Sequence, residues 1–323
     1  SDLNLPSIAV TELVSEQLVK RRVTNVGPAA DFTASVEAPT TIDVTVTPSV
    51  LSLAAGETSE FEVRLTTDGT TYDAWQFGAL NWISTTATVR SPLAIRALRF
   101  AAPVLVSASG AGGTADAALH VGYSGIYEAR LSGLEATGQS QPEDIRAQLT
   151  NSVLDDPSNE YVFVQPTTGT PDGNVRRIPI LVPAGTRYLR VALFNQNSSL
   201  GADLDLYLYS CPGFGECTKE ATPSVEFDSS DEVINLIPDD GAEFVTPGEY
   251  FVDVHGYEAP AGSADFQLFV WTVGADRGNA SLIAPASVTA GQDDTLTINW
   301  QNLAAGLNLG VITHTDGTST LDQ

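Results

Sequence analysis

The feature that most constrains this chain is the repeated alternation of apolar and polar residues over short runs. Ile42-Asp-Val-Thr-Val46 and Glu60-Phe-Glu-Val-Arg-Leu65 place every second side chain on one face, the period of a half-buried β-strand. Turn chemistry interrupts the runs at Asn25-Val-Gly27-Pro28, Ala38-Pro39, Ala54-Ala-Gly56-Glu and Asp68-Gly69. With 17% charged residues, no Met, 27 Gly and 18 Pro, the composition favours β-layers with many turns over helix bundles. The fold class expected is all-β, in tandem sandwiches, and 323 residues suffice for two or three of them.

The net charge of −25 repels nucleic acid and anionic lipid, so neither is expected as a partner. No apolar run reaches the roughly 20 residues that span a bilayer, and membrane insertion is not expected. Cys211 and Cys217 are the only cysteines. Two Cys without nearby His cannot make a four-ligand zinc site. Five intervening residues exclude a thioredoxin-like pair, which leaves a small disulfide in an oxidising compartment, or two partly buried thiols.

Within the first 100 residues, seven short strands would suit an immunoglobulin-like or fibronectin-III-like sandwich. Val23 and Asn25 fall on one face of a strand, and Gly27 is expected to end it with a positive φ. Trp82 is expected to plug the core. Four segments here form a recognisable order: Leu3-Asn4-Leu5-Pro6-Ser7-Ile8-Ala9-Val10, Arg21-Arg22-Val23-Thr24-Asn25-Val26-Gly27, Phe77-Gly78-Ala79-Leu80-Asn81-Trp82 and Val89-Arg90-Ser91-Pro92-Leu93-Ala94-Ile95. In this order they resemble the fibronectin-III-like domain that follows the catalytic domain in subtilisin-like serine proteases.

A second module spans residues 144–273, with a short helix expected from Pro142 to Leu149 and a polar, loop-like stretch to residue 180. Asp203-Leu-Asp-Leu-Tyr and Pro247-Gly-Glu-Tyr-Phe-Val-Asp-Val resemble the bacterial pre-peptidase C-terminal domain, a jelly-roll-like sandwich appended to secreted proteases. Residues 101–143 and 274–323 each hold too few strands to bury a sheet, and together they offer a third, split sandwich. Both resemblances imply a non-catalytic region of a secreted bacterial serine endopeptidase. The implied partners are the catalytic domain of the same polypeptide and a protein substrate or cell surface.

The residues hold no catalytic set. Gly317-Thr318-Ser319 copies part of a serine-protease motif beside His314 and Asp316, but sequence neighbours on one turn cannot build a triad. His120 and His255 read as packing or hydrogen-bonding residues. Asp203 and Asp205 share a strand face and are the candidates for calcium, a ligand the second resemblance allows. They lack further acidic ligands in sequence, and a solvated or backbone-capping role is favoured, with no cofactor. Tyr207 and Tyr209, expected to be exposed beside Asp205, are candidates for surface binding. They carry the alternative reading, a free-standing adhesion or carbohydrate-binding protein.

Overall fold

In the strand Ile42–Thr47, Ile42 and Val46 are buried while Asp43 and Thr45 alternate outward. The computed structural model describes residues 4–67, 69, 71–138, 141–142, 149–167, 169–212, 216–238 and 242–322. Of the helix expected over 142–149, residues 143–148 lie outside this set.

The first body pairs two sheets. One has the spatial order Ile8–Leu13, Thr88–Ala97, Trp75–Ile83, Ala30–Glu37, Val50–Leu53; the other Glu16–Thr24, Thr58–Thr67, Ile42–Thr47. There are eight strands here rather than seven, because Ile8–Leu13 adds to the edge in parallel with Thr88–Ala97. Trp82 meets Phe61 edge-on at 5.1 Å in the core. Gly27 does not have the expected positive φ, which falls instead on Gly56. The buried Asn25 side chain ends the strand. Its Nδ2 donates to the carbonyls of Pro28, Leu53 and Ala54, and its Oδ1 accepts from Gly27 N.

Two segments far apart in sequence pair in the next body. Gly113–Val121 lies antiparallel to Asp293–Trp300, and Glu128–Ala136 to Asn308–Thr315. Phe100, Leu119, Tyr127 and Leu296 fill the space between these sheets. This body abuts the first at Gly122, where a Cβ would lie 2.7 Å from Val14 O and 2.8 Å from Leu98 O. Tyr72 donates to Gly122 O at 2.9 Å.

Between those paired halves the chain builds another sandwich. Its larger sheet runs Val175–Val182, Gly248–Glu258, Asp203–Ser210, Thr218–Lys219, and its smaller one Val233–Leu236, Tyr188–Ala192, Phe269–Val273. The apolar run Phe266–Trp271 is divided at Leu268. Ser263–Gln267 pairs with Thr150–Leu154, whereas Phe269–Val273 pairs with Tyr188–Ala192. Leu268 is buried in the core between them. The smaller sheet packs through Phe269, Trp271 and Val273 on Val311 of the preceding body.

Candidate functional site

Alternation in Asp203–Ser210 sends Leu204, Leu206 and Leu208 into the core and Asp203, Asp205, Tyr207 and Tyr209 to the opposite face. That face is not open to solvent. Residues 155–167 cross it as a strap, with Tyr161, Phe163 and Gln165 at alternate positions turned toward the sheet. Tyr161 stacks on Tyr207 with ring centres 3.6 Å apart, and Phe163 on Tyr209 at 3.9 Å. Gln165 Nε2 donates to Cys217 O, and Cys217 N donates to Gln165 Oε1. Tyr209 is only 5% exposed, so the expected open aromatic platform is corrected: the chain's own rings occupy it.

Asp203 and Asp205 are buried rather than solvated, because the loop 224–232 and the strap close over them. Asp203 Oδ2 accepts from Asp228 N at 3.0 Å, while its Oδ1 and Glu232 Oε2 have no partner among the described residues. Burial raises the pKa of both acids. Among the described residues, no group of three or more His, Cys, Asp and Glu side chains could hold a metal ion.

Asp205 instead faces His255, which has no solvent exposure. His255 Nδ1 lies 3.2 Å from Asp205 Oδ2, and Nε2 lies 2.9 Å from Asp156 Oδ2. Both ring nitrogens are placed to donate to these carboxylates, an arrangement that favours the doubly protonated, charged ring. Burial opposes that charge, but hydrogen bonds and attraction from Asp205 and Asp156 outweigh it and raise the His255 pKa. Burial likewise opposes charge on Asp156, whose pKa is nevertheless lowered by hydrogen bonds from His255 and Ser158. Gly256 makes this approach possible: a Cβ there would sit 2.2 Å from Leu154 O. Asp156 N donates to Gly256 O at 2.9 Å.

A second ion pair lies beside the first. Arg177 Nε and Nη2 donate to Asp253 Oδ1 and Oδ2 at 2.7 and 2.6 Å. Asp253 also accepts from Tyr161 OH at 2.9 Å. The guanidinium lies between Phe163 and Phe251, at 4.8 and 5.3 Å from their ring centres. One bidentate pair of charge-assisted hydrogen bonds, with Asp253 fully buried, makes this a strong, directional clamp on the strap.

With both nitrogens engaged, His255 has no lone pair to accept a proton or bind a metal. The cluster thereby ties the strap to the sheet at Asp156 and Asp205. At the chain's other end Ser319 Oγ donates to Asp316 Oδ2, while His314 Nδ1 is 2.6 Å from Tyr127 OH. His120 is exposed and pairs with Asp293 at 2.7 Å. The sequence signal for the strap was the alternation Tyr161, Phe163, Gln165 inside a stretch that otherwise reads as a polar loop.

Cys211 and Cys217 form a disulfide buried beside Tyr209. Replacing both by serine should lower stability by about 2–3 kcal/mol, the chain-entropy value for so short a loop. Urea denaturation measures it, and an unchanged midpoint would remove the cross-link from the account.

Comparison with known proteins singles out the first body. Residues 2–95 match the fibronectin type-III domain family. This part of the chain is a fibronectin type-III-like domain. It is 39% identical over 97 residues to subtilisin-like protease SBT3.2 of Arabidopsis thaliana, covering 29% of this chain and 13% of that protein. Against SBT3.10 of the same plant it is 37% identical over 97 residues, with the same coverage. The chain thus spans about an eighth of the length of these relatives. Among solved structures, the secreted serine protease VesC from Vibrio cholerae aligns over 83% of this chain and 49% of its own. The identity there is 10% and the TM-score 0.23, too low to support an argument. No helix among the described residues is long and apolar enough to cross a membrane.

Proposed function

We propose that this chain is a non-catalytic accessory region of a secreted subtilisin-like serine endopeptidase. The observation that carries the reading is the 97-residue similarity to subtilisin-like proteases, confined to the fibronectin type-III-like body. In this reading the chain divides into domains at 1–100, 144–273, and a split one from 101–143 with 274–323. The separate cores and the strand pairing across the insertion support that division. The first domain packs on the catalytic domain and stabilises it, while the later ones aid secretion, processing or substrate contact.

A surface on the first body fits the docking role. Phe77 and Trp75, 72% and 46% exposed, project from the outer face of its five-stranded sheet. Arg96 lies beside Trp75, 6.0 Å from the ring centre. Exposed aromatic and Arg side chains are the types that anchor protein interfaces.

The purified chain should hydrolyse neither casein nor short peptides. The reading frame that contains it should encode a subtilisin-type Asp, His and Ser set, and the full polypeptide should cleave casein. A frame without such a domain, or activity of the 323-residue chain abolished by Ser319→Ala, would overturn the proposal.

A further inference from the structure

In the smaller sheet of the inserted sandwich, Val233–Leu236 is an outer strand. Just before it, Glu232 N donates to Leu193 O and Leu193 N to Glu232 O. Antiparallel alternation then turns the backbone groups of Ile234 and Leu236 toward Tyr188–Ala192, and those of Val233, Asn235 and Ile237 outward. Val233 N donates to Ser224 Oγ at 3.0 Å. Among the described residues, nothing bonds Val233 O, Asn235 N, Asn235 O or Ile237 N.

An open edge is a template for another strand, and two other outer strands of this chain are guarded against that. Val175–Val182 carries Pro179, and the Gln141 amide bonds both Leu181 N and O. Glu128–Ala136 is covered by the chain itself, through Ala286 O on Tyr127 N and Arg277 N on Gly133 O. Val233-Ile-Asn-Leu-Ile237 holds neither a charge nor a proline. Its Val233 and Ile237 are 39% and 54% exposed.

The segment is complementary to itself. Antiparallel pairing about a two-fold axis at Asn235 sets Val233 opposite the second copy's Ile237, Ile234 opposite its Leu236, and the two Asn235 residues opposite each other. Every cross-strand pair is then apolar with apolar or amide with amide. The central pair exchanges two backbone hydrogen bonds. Ile237 N of each copy reaches Val233 O of the other, while Val233 N keeps Ser224.

We propose that residues 233–237 form a homodimer edge, pairing antiparallel with the same segment of a second copy and joining two three-stranded sheets into one. The net charge of −25 drives the copies apart, so the dimer should tighten as salt screens that repulsion. The proposal does not depend on the protease reading, since it concerns a different body of the chain.

Sedimentation of the intact chain tests it. The contact is small, so the series should extend to about 0.5 mM protein. A monomer–dimer equilibrium should appear, and its dimer fraction should rise between about 0.05 and 0.5 M salt. Asn235→Pro removes the central donors, which the strand's own sheet does not use, and Ile237→Asp puts a charge into an exposed apolar pair. Each should raise the dimer dissociation constant by about tenfold or more with the circular dichroism spectrum unchanged. Amide hydrogen exchange at Asn235 and Ile237 should slow in the dimer. A monomer at every concentration and salt overturns the proposal. So does a dimer that salt dissolves, or one that keeps its affinity in Ile237→Asp. A dimer abolished by Phe77→Asp also overturns it, because the outer face of the first body would then be the contact.

Discussion

Asp253→Ala is expected to lower unfolding free energy by about 3–5 kcal/mol, the usual cost of breaking a buried ion pair from one side. Asp253 is fully buried and accepts from Arg177 and Tyr161. Its removal leaves the Arg177 guanidinium, 10% exposed, between two aromatic rings with no counter-charge. The strap loses its tyrosine anchor at the same time. Urea denaturation and hydrogen exchange of residues 155–167 measure the two effects. A loss below about 1 kcal/mol, the range of an exposed pair, would show that the clamp is not structural.

His255→Ala should be comparably damaging near neutral pH, because Asp156 and Asp205 then face each other without the cation that separates them. The pH profile supplies the sharper test. The His255 pKa is raised on folding, so its contribution is complete below the unfolded value of about 6.5 and is lost as pH rises through the folded value. The raised pKa values of Asp203 and Glu232 act in the same direction, since their burial penalty disappears as they protonate. Asp156 acts oppositely. Its lowered pKa gives stability above about 4 that fades only in strong acid. Maximum melting temperature is therefore expected in mild acid, with a decline on the alkaline side that His255→Ala makes shallower. An identical alkaline limb in the variant would assign that decline to other groups.

The strands were legible because period two is a local property. Ile42–Thr47 and Thr58–Thr67 follow it closely. The end of the strand at Asn25 was harder to read, because the residue that stops it acts through a side chain reaching Leu53 and Ala54. Asp203-Leu-Asp-Leu-Tyr-Leu-Tyr gave the two faces correctly but could not show what lies over the polar one. That cover comes from Tyr161 and Phe163, whose stacking partners are contributed by another strand. The clamp on His255 was beyond local inspection as well, since its carboxylates lie 50 and 99 residues away in sequence. Neither distance leaves any periodic trace.

The pairing of Gly113–Val121 with Asp293–Trp300, and of Glu128–Ala136 with Asn308–Thr315, also determines how the molecule carries mechanical load. Tension applied between the two chain ends passes from one half of the split body to the other across these ladders. The sandwich between them hangs outside the line of force as a side branch. While the ladders hold, a pull that unravels the first body leaves the Asp156–His255–Asp205 clamp unstressed. Only after they shear does the intervening chain come under tension, so its extension should appear as a separate, later event in single-molecule stretching.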